Sequence, residues 1–536
     1  MLNNEPGNRP NILWISMEDT SPRFGCYGDT VARTPNIDRL AAEGCIFKNA
    51  FSTAGVCSPS RRAIITGMYQ TSVGSPHHRT TSVHKIMGDA IIPYEAVLPP
   101  YVKVFSEYLR AAGYYCTNNS KTDYQFNAPF TAWDENGNQA HWRNRKPGQP
   151  FFAVFNPSHT HESGMWPEKA APEVTDPADV TLPPYLPDTP VTRETLARHY
   201  DQLIVSDGKI GEILGQLDED GLADNTVVIL WSDHGEGMPR GKRWLYDSGI
   251  RIPLIVRWPG QLAPGTVTDQ VVNLVDLAPT VLALTGVTIP SHMQGKVFLG
   301  PKKKEREYAF AARDRHDEMY DMVRAVRDKR YKYIRNYYPE LPYLLHNQYR
   351  NRHPVMQEMW RLHALNQLEG TQAAMFKESR PAEELYDCQE DPHEIRNLAD
   401  DPAYGDILER LRGKLDDWRQ TYGDQGDIPE HELIERMWPG KVQPTTAPPQ
   451  FIPVGASEPG LQRVNEGTYA EPVLIQIYSG TQGASIGYTT ESGEDARWQL
   501  YTKPLRLSQG TTTLRAKAIR IGFKPSEERE AVFTLK

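Results

Sequence analysis

The chain has 536 residues, of which 39% are apolar, 24% charged and 10% aromatic, enough for several packed cores and too apolar for a disordered protein. Its net charge is −9, and the one basic run, Lys302-Lys303-Lys304, is followed at once by Glu305, which excludes nucleic-acid binding driven by phosphate neutralisation. No stretch approaches the roughly 18 consecutive apolar residues of a membrane helix, so no membrane span is predicted.

The first apolar run, residues 11–16, reads as a buried strand that ends at the acidic pair Glu18-Asp19. Carboxylates at the carboxyl end of a strand suit an α/β sheet, where ligands gather at that edge. A helix is predicted over residues 35–43, opened by Thr34-Pro35 and closed by Gly44. Similar apolar runs recur at 151–155, 227–231 and 254–256. Before the second of these, Leu196, Tyr200, Leu203, Ile210, Leu214 and Leu217 form the stripe of an amphipathic helix. The alternation predicts an α/β catalytic domain over 9–310, with a mostly parallel sheet flanked by helices.

Beyond it, short strands at 322–327 and 331–336 and helices over 355–378 and 403–421 predict a smaller α+β subdomain spanning 311–437. A Pro/Thr-rich linker is expected over 438–469, and period-two alternation over 470–536 predicts a small C-terminal β-sandwich.

Five cysteines, Cys26, Cys45, Cys57, Cys116 and Cys388, show no CxxC spacing and give neither a disulfide framework nor a thiolate zinc site. The first ten residues lack the apolar core of a signal peptide. A secreted or periplasmic location is expected if a signal was removed, and a cytoplasmic one otherwise.

Cys57 stands in the string Cys57-Ser58-Pro59-Ser60-Arg61. Ser58 as N-cap and Pro59 at the first helical position predict a helix running to Gly67. Cys57 would then sit at the helix amino end, where free N–H groups favour an anion, with Arg61 one turn on. Read alone, the same string also fits a buried structural cysteine before a capped helix.

With Ala63 and Thr66-Gly67, this string resembles the signature of type I sulfatases, of the alkaline-phosphatase-like superfamily. Further matches follow in order: Asn11-Ile-Leu, Gly25-Cys-Tyr-Gly28, Thr34-Pro-Asn-Ile-Asp38, Ser232-Asp-His-Gly235 and Glu384-Leu-Tyr-Asp387 with Asp391-Pro-His-Glu394. The segment before the long helix is most similar to the sulfamidase branch, and the Asp-His pair to the iduronate sulfatases. The C-terminal segment resembles the Fn3-like domain of chitobiase and hexosaminidase-type enzymes.

The resemblance implies that Cys57 is oxidised to formylglycine by a formylglycine-generating or anaerobic sulfatase-maturing enzyme. Its hydrate would attack sulfur with one hydroxyl and expel sulfate with the other. Glu18, Asp19, Asp233 and His234, together with residue 57, are the implied metal ligands; an oxygen-rich set favours Ca²⁺, with Mg²⁺ second. The family usually carries two aspartates where this chain has Glu18-Asp19.

Arg61, Lys121, His161 and Lys242 are the implied catalytic partners, with His159 a competing register for His161. The family histidine two residues after the lysine is replaced here by Asp123. His77, His78, His159, Arg313, Arg315 and His316 are candidate substrate contacts. The implied activity is hydrolysis of a sulfate ester or N-sulfate on a sulfated oligo- or polysaccharide. Two alternatives stay open at this point: a phosphonate monoester or phosphodiester hydrolase on the same site, and a decayed glycan-binding protein.

Overall fold

In the computed structural model, residues 9–82, 91–455 and 466–536 are described. The first eight residues, on which the signal-peptide expectation rests, and residues 456–465 of the expected linker lie outside them. The chain divides into two units, one comprising residues up to Ile92 and Val154–Asp427, the other Pro93–Ala153 and Ile428–Lys536.

In the first unit, every residue of the strand Asn11–Met17 is buried, as a continuous apolar run demands when both faces of a sheet are covered. It pairs in parallel with Thr226–Ser232, with Met17 opposite Ser232. That register brings Glu18-Asp19 and Asp233-His234 out side by side at one sheet end. The Asp233 N–H donates to the Met17 carbonyl at 3.2 Å, which fixes the exit.

Thr226–Ser232 pairs antiparallel with Leu254–Arg257, and that strand antiparallel with Cys45–Phe51. Cys45–Phe51 in turn pairs in parallel with Thr266–Asn273. The sheet is therefore mixed, with helices packed on it, and the α/β class holds. Helix Pro35–Ala42 packs against the 30-residue helix Pro190–Glu219, and Cys57–Thr66 against Leu277–Leu284. Thr34 does not cap its helix. The carboxylate of Asp207, on the long helix, accepts from the N–H groups of Asn36 and Ile37 instead.

Still in the first unit, Ala309–Arg313, Val323–Arg327, Tyr331–Asn336 and Glu383–Asp387 form an antiparallel meander. Helix Gly405–Tyr422 covers it through Leu411, Leu415 and Trp418, with Trp418 stacked on Phe310 at 5.2 Å. The helix expected over 355–378 is two helices, Pro354–Ala364 and Gly370–Ala374, because the intervening Asn366 takes a left-handed conformation (φ 55°).

In the second unit, helix Phe105–Ala111 precedes the strand Tyr115–Asn119, paired in parallel with Glu135–Asn136. Its C-terminal part has a three-stranded and a five-stranded sheet sharing a core of Phe451, Ile475, Ile477, Leu514, Ala516 and Phe533. Strand Gln450–Val454 lies within the stretch read as linker, yet pairs antiparallel with Leu474–Tyr478. This part is joined to residues 93–153 by Lys103, whose Nζ donates to Gly483 O at 2.5 Å and Ser485 Oγ at 2.9 Å.

Candidate active site

The site is assembled at the end of the paired strands Asn11–Met17 and Thr226–Ser232. Helix Cys57–Thr66 begins at Cys57 itself, after the extended residue Val56. The expected Ser58 cap is not made: the Ser58 hydroxyl accepts from the Arg79 N–H at 3.4 Å, outside the helix. Cys57 is thus the first helical residue, buried, with its side chain beside the helix's unpaired amino end.

Cys57 Sγ lies 3.4 Å from His234 Nε2 and 4.0 Å from Asp19 Oδ1. The two aspartates are held alike. Asp19 Oδ2 accepts from Lys242 Nζ and the Glu162 N–H, both at 2.7 Å, while Asp233 Oδ2 accepts from Arg61 Nε at 2.8 Å. Their Oδ1 atoms turn toward His234, whose Nε2 lies 3.0 Å from that of Asp19 and 3.8 Å from that of Asp233. Arg61 also donates to Asn156 Oδ1 at 2.9 Å.

The Glu18 backbone is fixed by the hydroxyls of Thr20 and Thr160, which donate to its carbonyl. Its carboxylate joins Asp19, Cys57 and His161 in a cluster whose ligand atoms lie within 4.8 Å of one another; Cys57, Asp233 and His234 form a second such cluster. Three carboxylates, two of them braced by Lys242 and Arg61, form the oxygen-rich set that a hard divalent cation takes. The residues present therefore suit the metal that the sequence implies.

Burial raises the Asp19 carboxyl, but Lys242, His161 and His234 outweigh it and hold it well below the usual carboxylate range. Burial opposes charge on His234, while Asp233, Asp19 and Cys57 hold its pKa up at about 10.

His161, and not His159, reaches the site. Its Nε2 is 3.2 Å from Lys242 Nζ and its Nδ1 2.9 Å from Ser163 Oγ. His159 is half-buried, and burial and Lys209 depress its pKa. Lys121 belongs to the second unit, where its Nζ lies 3.9 Å from Asp123 Oδ2. The departure at 123 thus supplies a carboxylate partner for that lysine.

The candidate substrate residues His77, His78, Arg313, Arg315 and His316 are all buried. Arg315 N donates to His77 Nδ1 at 3.3 Å, and its guanidinium to the carbonyls of His78 and Asp317. Arg313 lies 3.4 Å from Asp321 and over the ring of Trp244. His316 packs edge-on to His78, its pKa driven well down by burial and by Arg313 and His78. These groups line the inside of the loops rather than their surface.

Sequence reasoning missed Glu162, Asp317 and Asn156. Glu162 is gripped by both terminal nitrogens of Arg243, at 2.8 and 2.9 Å, and lies 3.1 Å from Lys242. Arg243 reaches on to Asp317 at 3.6 Å. Adjacency was the available signal: Glu162 follows His161 and Arg243 follows Lys242. Asp19, Arg79, Arg243 and Asp317 also have positive φ, four of the ten such non-glycine residues among those described. Strained backbone is concentrated at this one place, as at sites whose geometry is fixed by function.

The sulfatase family model matches residues 10–287, and the model for the C-terminal part of N-sulphoglucosamine sulphohydrolase matches residues 235–359. An ulvan-active sulfatase of Formosa agariphila is 43% identical over 97% of this chain and 90% of its own length. Human N-sulphoglucosamine sulphohydrolase is 27% identical over 80% of this chain and 94% of its own. The fold is shared with a phosphonate monoester hydrolase of Agrobacterium radiobacter (TM-score 0.56, 17% identity, 78% of this chain and 97% of that one), so fold alone does not choose between sulfur and phosphorus. The family model spans more than half of the chain, and the 43% identical relative is matched over nine-tenths of its length: this chain belongs to the sulfatase family and is a sulfuric ester hydrolase.

Proposed function

We propose that the enzyme removes sulfate, from oxygen or from nitrogen, on a sulfated polysaccharide or its oligosaccharides, with Cys57 converted to formylglycine as nucleophile. The observation that carries this reading is the position of Cys57: first residue of its helix, within 4.0 Å of Asp19 and His234, with Lys242 and Arg61 behind the carboxylates. Saccharide as substrate class is supported by relatives named for ulvan and for N-sulphoglucosamine, the latter also agreeing with the sulfamidase likeness of the sequence.

Glu18, Asp19, Asp233 and, as neutral imidazole, His234 would hold a calcium ion, which when bound supplies positive charge against sulfate oxygens. Formylglycine supplies a geminal hydroxyl nucleophile whose second hydroxyl lets the adduct collapse without further attack at sulfur. Arg61 anchors Asp233 and so orients the nucleophile. Lys242 Nζ and His161 Nε2, 3.2 Å apart, converge on one spot. There they neutralise a sulfate oxygen and deliver a proton to the leaving oxygen or nitrogen.

The test is turnover of paired sulfate and phosphate esters of one alcohol by wild type and Cys57→Ala. Preference for the sulfate, lost in Cys57→Ala with fold and metal content intact, is the expected result. Preference for the phosphate, or near-normal activity in the variant, overturns the reading.

A further inference from the structure

Arg79 differs from the other cations around the nucleophile in its access to solvent. Its side chain is 29% exposed, against 4% for Arg61, 1% for Lys242 and 2% for Arg243. Yet it is close to the reacting residue, since its N–H donates to the hydroxyl of Ser58, next to Cys57. Its backbone is left-handed (φ 52°), a conformation costly for arginine unless its surroundings enforce it.

Two contacts aim the guanidinium. Nε lies 3.4 Å from Asp317 Oδ1, and the group stacks over the ring of Tyr349 at 4.6 Å. Asp317 is shared, because His78 approaches it at 3.2 Å and Arg243 at 3.6 Å, so its one negative charge does not neutralise Arg79 alone. Among the described residues, Arg79 is engaged through Nε and one ring face, which leaves the edge carrying the two terminal amino groups for a ligand. That edge is the arginine fork that binds carboxylate and sulfate oxygens in pairs. The half-buried Tyr349 also meets His161 edge-on at 6.3 Å. One ring therefore spaces this partly exposed cation from the point where His161 and Lys242 converge.

We propose that Arg79, backed by Tyr349, is a specificity-determining residue that binds a second anionic group of the saccharide, a carboxylate or a further sulfate, beside the sulfate under attack. This rests on the sulfatase reading of Cys57.

The test uses three probes: N-acetylgalactosamine 6-sulfate with one anion, a hexuronate 2-O-sulfate with an added carboxylate, and glucosamine N,6-O-disulfate with an added sulfate. Affinity is measured calorimetrically on full-length Cys57→Ala protein loaded with calcium, with and without Arg79→Gln or Arg79→Lys. The single variant should prefer at least one doubly charged probe. Arg79→Gln should weaken that probe by about tenfold to a hundredfold more than the singly charged one, the worth of a charged hydrogen bond. Arg79→Lys keeps the charge beside Asp317 and the fold, and should restore part of the loss. Which doubly charged probe loses more identifies carboxylate or sulfate as the group bound. Equal affinity for all three probes, or equal weakening of all three by Arg79→Gln, overturns the proposal. Failure of wild type bearing verified formylglycine to hydrolyse any sulfate ester would instead overturn the sulfatase reading.

Discussion

Lys242 and Asp19 are 223 residues apart in sequence, and Nζ of one lies 2.7 Å from Oδ2 of the other in the interior of the protein. The same ammonium is 3.1 Å from Glu162, which Arg243 grips as well, so its loss bears chiefly on Asp19. Lys242→Met should therefore lower stability by about 3–5 kcal/mol, the cost of leaving buried charge unpaired, as well as abolish turnover. Denaturant unfolding of the holoenzyme checks this; an unchanged midpoint would mean that the ion pair carries no structural weight.

His161 is different, because it is half-buried and its two ring nitrogens meet Ser163 and Lys242. His161→Asn should keep the unfolding midpoint and reduce kcat by about 10²–10⁴-fold. The loss should be smallest for an aryl sulfate with an acidic leaving group, which needs no proton. A uniform loss across leaving groups would assign His161 to sulfate binding alone.

Chelation should stop turnover without unfolding the protein, since Lys242 and Arg61 still pair with Asp19 and Asp233. Calcium should restore activity and raise stability by about 2.7 kcal/mol at a hundredfold excess over its Kd. Thermal melts across a calcium titration measure this, and a flat series would remove the metal from the site.

A second buried carboxyl gives a pH signature away from the chemistry. Burial, against Arg324 and reinforced by Asp424, pushes Asp314 up to about 6. A raised carboxyl favours the folded state fully below its unfolded pKa of about 4 and loses that contribution as pH rises through about 6. Asp314→Asn removes the titration. The variant's stability relative to wild type should improve by on the order of 2 kcal/mol between pH 4 and pH 8, as judged by urea unfolding. A constant difference would show that Asp314 stays ionised throughout.

Much of the site was legible because strand ends and helix starts are local features. The runs at 11–16 and 227–231 marked the strands, and their parallel register made neighbours of Asp19 and Asp233. Sequence points to His161 but leaves His159, two positions away on the same loop, as a competing register, because only the packed structure brings one of them to Lys242. Nor could it turn Arg313 and Arg315 inward, since charged loop residues read as solvated until their partners, Asp321 and backbone carbonyls, are placed. The strand Gln450–Val454 was hidden by its proline and the Pro/Thr-rich stretch before it; its partner lies some twenty residues on.

The most direct measurement is the mass of the tryptic peptide containing residue 57, taken on the same preparations whose sulfate-releasing turnover is recorded. Activity should rise in proportion to the fraction of Cys57 converted to the aldehyde, and fall to background where the thiol is intact. Full turnover from a preparation in which residue 57 is wholly unmodified cysteine would contradict the account.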